Sequence, residues 1–198
     1  LLWKNNMRAE FVRILKNTGV GVMPTDTIYG LVGTALVKNT VERIYRLRRR
    51  NPEKPFIILI GKIADLKLFG VKPDDFAKKV LREIWPNSVS VILPCKNKRL
   101  FYLHRGTKTL AFRLSKKIAL RRLLKKTGPL VAPSANPEGL MPASTIAEAK
   151  KYFGNKIDFY IGAKTLKGAP STLIEIKNKK IKIIRQGAVK LNIEKFYN

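Results

Sequence analysis

The sequence predicts one α/β domain, and three observations carry that expectation. A chain of 198 residues that is 45% hydrophobic can fill one core but not two full ones. Short apolar runs of strand length alternate with amphipathic stretches of helix length. No internal repeat or low-complexity linker divides the chain, and its 11 prolines and 13 glycines are scattered. The order of these segments fits a layered domain and leaves parallel and mixed sheets equally open.

Along the chain, Phe11, Val12, Ile14 and Leu15 predict an opening helix that ends near Asn17-Thr18-Gly19. Val20 to Met23 predicts a strand stopped by Pro24, followed by the polar loop Thr25-Asp26-Thr27-Ile28-Tyr29-Gly30. Thr40 is the expected cap of a helix that buries Val41, Ile44 and Tyr45, and Pro52 and Pro55 break it. The unbroken run Phe56 to Ile60 predicts a strand covered on both faces. Asp74-Asp75 suits the positive end of a helix carrying Phe76, Val80, Leu81 and Ile84, which Pro86 closes. Strands are expected at Val89 to Leu93 and Thr109 to Phe112, then a basic helix over Ile118 to Leu124. A short strand at Leu130 to Ala132 leads into Pro133-Ser134-Ala135-Asn136. A helix from Thr145 through Tyr152 and a strand over Asp158 to Ile161 follow, and Thr172 to Ile176 with Ile181 to Arg185 reads as a hairpin around Asn178.

Composition removes whole classes of chemistry. Cys95 is the only cysteine and His104 the only histidine, so an intramolecular disulfide and a Cys/His zinc site are both excluded. His104 sits in Tyr102-Leu103-His104-Arg105-Gly106 without a nucleophile elbow, which makes it a surface or packing residue. The longest apolar runs are too short to span a bilayer, so no membrane role is expected. Leu1-Leu2-Trp3-Lys4 lacks the apolar core of a signal peptide, and the expected location is cytoplasmic. Met7, or an alternative start codon, is the expected beginning of the protein. Lysine and arginine total 41 against 13 acids, a net charge of +28 that favours polyanionic partners. The basic clusters are dispersed and not interleaved with aromatics, which fits a lysine-decorated surface as well as one that binds tRNA or other RNA.

The glycine-rich phosphate motifs are absent: there is no G-x-x-x-x-G-K-[ST], and Gly19-Val20-Gly21 has Pro24 where a dinucleotide loop needs a third glycine. Side chains must then bind any phosphate, and four loops offer them. Arg50 and Lys54 flank a proline-stiffened turn, where guanidinium fork and ammonium point charge can converge, although a solvated basic turn has the same sequence. Ser134 and Asn136 follow a strand, the edge of an α/β sheet that ligands favour, yet such residues also make ordinary turns. Pro24 to Leu31 offers hydroxyls beside apolar groups, suited to a small polar molecule bearing a methyl group, or a plain turn with Tyr29 packed inward. Arg185 ends the last strand.

The order and spacing of these segments resemble one family, the YrdC-like threonylcarbamoyl-adenylate synthases. Pro24 to Leu31 resembles its opening signature; Arg48-x-Arg50 with Lys54-Pro55 resembles its K-x-R…K-P block. Trp85-Pro86 and the strand after it resemble W-P-G-x-[VL]-T-x-[IV]-L, with Asn87 in place of glycine, and Thr109-Leu110-Ala111-Phe112-Arg113 resembles T-V-A-V-R. Pro133-Ser134-Ala135-Asn136 matches S-x-N, and Pro170-Ser171-Thr172 with Arg185-Gln186-Gly187-Ala188 matches the closing pattern. The resemblance spans roughly residues 8 to 190, a single domain with no additional C-terminal domain expected.

The resemblance implies a twisted open sheet with flanking helices and a concave basic cavity. It implies that ATP contacts Arg50, Lys54, Thr109, Ser134, Asn136 and Arg185, with the backbone at Pro142 nearby. It implies that threonine contacts Thr27, Arg113, Ala132 and Ser171, with Leu59 lining the site. Arg50, Lys54 and Arg185 are the expected catalytic charges, Arg113 the expected partner of a carboxylate, and Asp26 a candidate base weighed against a structural place in its turn. The implied reaction joins L-threonine, bicarbonate and ATP, with Mg2+ arriving on ATP, and hands its product to a downstream threonylcarbamoyl transferase that modifies tRNA. Leu59 replaces a frequent histidine, Pro142 a frequent serine and Arg48 a lysine. A non-catalytic RNA-binding or ribosome-associated protein on this fold, and a YciO-like paralogue using another acceptor, are the alternatives.

Overall fold

The computed structural model describes residues 5–51, 53–162 and 164–197. Nine strands among them form one mixed sheet. In chain order they are β1 (Gly21–Pro24), β2 (Tyr29–Thr34), β3 (Ile57–Ile60), β4 (Val89–Pro94) and β5 (Thr109–Leu114). β6 (Leu130–Val131), β7 (Phe159–Tyr160), β8 (Thr172–Lys177) and β9 (Lys180–Arg185) follow. Their order across the sheet is β7-β1-β2-β6-β3-β5-β4-β8-β9. The pairs β1/β7, β3/β5 and β4/β8 are parallel, and the rest antiparallel.

Side-chain alternation decides which face each residue serves. Val22, Leu31, Ile58 and Val131 point into the larger core, while their neighbours Met23, Val32, Leu59 and Leu130 point into a second one. The larger core is closed by helices α2 (Lys38–Arg48), α3 (Asp75–Ile84) and α6 (Ile146–Phe153), and by the short α4 (Phe101–His104). The second is closed by α1 (Asn5–Lys16) and α5 (Ile118–Thr127). Both faces are thus covered around β1, β2, β6 and β3, which explains the continuous apolar run at residues 56–60. Two caps follow the sequence pattern: Asp74 accepts from the Ala77 amide at 2.7 Å and Thr145 from the Glu148 amide at 3.2 Å.

Two expectations need revision, those for residues 29–34 and for Thr40, whereas His104 fits its expected role. Strand β2 was hidden because Gly30 and Gly33 thin its apolar pattern; a Cβ on Gly33 would lie 2.5 Å from Thr40 Cγ2, so the strand and α2 require a bare backbone there. Thr40 does not cap α2, which starts at Lys38 after Val37; its buried hydroxyl donates to the Thr18 carbonyl at 3.2 Å and ties the helix to the turn after α1. His104 is a packing residue, buried and accepting from the Gly106 amide at 3.2 Å. Pro52, expected to help end α2, lies outside the described residues.

Candidate active site

Among the described residues α1 and α5 are the helices packed on the second face of the sheet, and a hollow of about 440 Å³ lies beyond them. Alternation again selects the lining. Leu110, Phe112 and Leu114 of β5 enter the larger core, so Thr109, Ala111 and Arg113 face the hollow. Ile57 of β3, Ile92 of β4 and Leu173 of β8 join them by the same rule and make an apolar floor. The volume lies within the usual range for small-molecule pockets.

One wall is a basic turn clamped to the segment after β6. Arg48 is 4% exposed and donates from Nε to the Asn136 carbonyl at 2.8 Å. Its Nη2 reaches Ser134 Oγ at 3.2 Å and Asn136 Oδ1 at 3.4 Å. Burial, then the charge of Arg50, pushes its pKa down to about 10, against the pull of Glu138. The Asn136 amide nitrogen is spent on the carbonyls of Pro137 and Leu140, at 2.8 and 2.7 Å. Arg50 stacks over Phe56 at 5.5 Å and donates to the Lys54 carbonyl at 3.2 Å. Glu138 accepts from Lys54 Nζ at 3.1 Å, sits 3.5 Å from Arg50 Nη1, and takes the Asn51 amide at 2.7 Å.

The opposite wall carries a buried ion pair. Arg113 Nη2 lies 3.1 Å from Asp26 Oδ1, with side chains 4% and 1% exposed. Ser88 Oγ donates to Asp26 Oδ2 at 3.0 Å. Burial lowers the pKa of Arg113; Asp26 opposes this and Arg185 adds to it. Arg113 Nε is buried without a hydrogen-bond partner among the described residues. Lys117, its pKa lowered by burial, donates to the Thr25 carbonyl at 3.3 Å. Thr25 and Thr27 share a hydroxyl contact at 3.2 Å, and Ser171 shares one with Ser90 at 2.9 Å. Arg185 reaches across to the Ser171 carbonyl at 2.9 Å from Nη2.

Nine expected site residues therefore line one hollow: Arg50, Lys54 and Arg185 with the hydroxyls Thr27, Thr109, Ser134 and Ser171, plus Arg113 and Ala132. Three do not. Leu59 pairs with Arg113 across the β3/β5 ladder but lies one pleat beyond Ile57, fully buried in the second core. Asn136 is buried as the brace of its own loop, and Pro142 is exposed outside the lining. Asp26 is enclosed as the counter-ion of Arg113. The clamp by Arg48 and the acid Glu138 were missed. Arg48 falls on the same helical stripe as Val41, Ile44 and Tyr45, a spacing that signals burial.

The profile of the Sua5_yciO_yrdC family, described as Telomere recombination, matches residues 13–187. The chain belongs to this family. It is 32% identical over 197 residues to the threonylcarbamoyl-AMP synthase of Pyrococcus abyssi, covering 98% of this chain and 57% of that one. It is 34% identical over 162 residues to the threonylcarbamoyl-AMP synthase of Marinobacter nauticus, covering 80% and 85%. The crystal structure of P. abyssi Sua5 complexed with L-threonine superposes with a TM-score of 0.84 at 26% identity, over 93% of this chain and 55% of that one. The chain thus spans about half the length of the first curated relatives it matches, at 57% and 53%. Among the described residues no helix of this family member is long and apolar enough to cross a membrane.

Proposed function

We propose that the chain forms threonylcarbamoyl-adenylate from L-threonine, bicarbonate and ATP, releasing pyrophosphate, for threonylcarbamoyladenosine modification of tRNA. The observation that carries this proposal is the convergence, within one hollow, of the cations Arg50, Lys54 and Arg185 on a buried guanidinium, Arg113, whose Nε has no partner among the described residues. The threonine carboxylate takes Arg113, and its hydroxyl and methyl group sit against Thr27 and Ala132 near Ser171. Its amine and bicarbonate give the carbamate with loss of water. A carbamate oxygen then attacks the α-phosphorus of ATP, and the bond to the pyrophosphate oxygen breaks. Arg50, Lys54 and Arg185 offset the charge on the departing phosphates, with Thr109 and Ser134 as hydroxyl donors.

No covalent intermediate on the protein is needed, so positioning and charge carry the catalysis. Among the described residues no cluster of three His, Cys, Asp or Glu side chains is placed to hold a metal. Mg2+ would accordingly ride on the phosphates of ATP. The product passes to a threonylcarbamoyl transferase acting on tRNA. The test is pyrophosphate release by the purified protein with ATP, bicarbonate and L-threonine, each omitted in turn. Release that requires all three is the expected result, and release indifferent to threonine would overturn the proposal. Arg50→Ala should lower turnover by about 10²-fold or more, on the scale of removing one charge-stabilising donor.

A further inference from the structure

We propose that Glu138 is a built-in counter-anion that pairs with the polyphosphate cations Arg50 and Lys54 and is displaced from them when a triphosphate binds. The inference rests on the reading that Arg50 and Lys54 bind phosphate. The carboxylate mimics such a ligand: one oxygen lies 3.1 Å from Lys54 Nζ and 3.5 Å from Arg50 Nη1, and the other accepts the Asn51 amide at 2.7 Å. These donors form a small anion nest at the turn, and Glu138 fills it from the facing loop. Its own amide donates to the Arg48 carbonyl at 2.7 Å, which ties the Glu138 backbone to the end of α2, beside the turn. Hydrogen bonds from Asn51 and Lys54, with the charge of Arg50, hold the Glu138 carboxyl below the usual carboxylate range, so it stays ionised at neutral pH.

The position favours displacement over permanent bracing. The Lys54 side chain is 58% exposed and can turn to another anion at little cost. Arg48 by contrast locks the same two loops from the buried side through Ser134 and Asn136, so the wall survives the loss of Glu138. A triphosphate offers several oxygens to the same donors, and a retained carboxylate beside it would repel it. Glu138 thereby sets the affinity threshold for polyphosphates and keeps weaker monoanions out.

The test is calorimetric titration of wild type and Glu138→Gln with inorganic tripolyphosphate and, separately, with ATP and with L-threonine. Glutamine keeps the size and removes the charge. The expected result is tripolyphosphate and ATP binding roughly three- to tenfold tighter in Glu138→Gln, with threonine binding unchanged. Glu138→Ala, which removes the whole carboxylate, should shift in the same direction. Unchanged or weaker polyphosphate binding in both variants, with an unaltered circular-dichroism spectrum, would assign Glu138 a bracing role and overturn the proposal. Absence of binding in all three proteins would instead remove the phosphate-site reading on which it rests.

Discussion

Arg113 and Asp26 show how far a single pair of charges can be pushed. Both are almost sealed from water, and each is the other's main compensation. Asp26→Asn leaves a buried guanidinium without its counter-charge, an event that costs about 3–5 kcal/mol in comparable pairs. Urea denaturation of Asp26→Asn should show a loss of that order; a change below 1 kcal/mol would mean that the pair is not enclosed. Asp158 makes the opposite kind of contact near the surface. Burial raises its pKa, but hydrogen bonds from Arg43 and the Val20 amide outweigh that and hold it below its ordinary value. Its folded pKa lies below the unfolded one, so the stability it contributes is present above about pH 4 and is lost as pH falls through the folded value. Asp158→Asn should therefore flatten the acid limb of a stability–pH curve. A limb of unchanged slope would put the acid sensitivity elsewhere.

At the scale of elements, the β8–β9 hairpin was legible because Asn178 marks its turn. Asn178 and Lys179 take φ of 51° and 55°, the two left-handed positions of a tight hairpin. Lys179→Gly removes the Cβ from the second and should stabilise the protein by about 0.5–1 kcal/mol, read as a higher urea midpoint. Gly187 is the reverse case. A Cβ there would lie 2.3 Å from the Pro170 carbonyl oxygen and 2.6 Å from that of Ser171, both backbone atoms. Gly187→Ala must push β9 away from the segment that Arg185 holds, and should weaken ATP binding together with stability; full retention of both would refute this packing. What stayed illegible has one physical source: residues chosen by close packing in three dimensions, not by a local pattern. The glycines of β2 answer to Thr40 and Thr25, and the true N-terminus of α2 has no polar cap to announce it.

For the molecule as a whole, the cations and hydroxyls that line the hollow were legible in the sequence, but the brace between loops was not. Arg50, Lys54, Ser134 and Arg185 announce themselves by type, whereas Asn136 and Leu59 look equally suited to a ligand until burial assigns them to structure. Net charge is a second global property. With 41 basic and 13 acidic residues, self-repulsion opposes the compact state at low salt. The thermal midpoint should rise when sodium chloride increases from about 20 to 500 mM, because the screening length shrinks from roughly 20 to 4 Å. A midpoint that falls would show that local ion pairs dominate over the overall field.

The gathering of Arg113, Arg185, Arg50 and Arg48 round one hollow concentrates positive charge and electrical tension at a single point. Any anion that settles there relieves the tension and, by mass action, holds the chain against melting by RT ln(1 + [L]/Kd). Heat itself then becomes a reporter of occupancy: a dye-based melting screen would rank carboxylates, nucleotides and their mimics before any turnover has been measured.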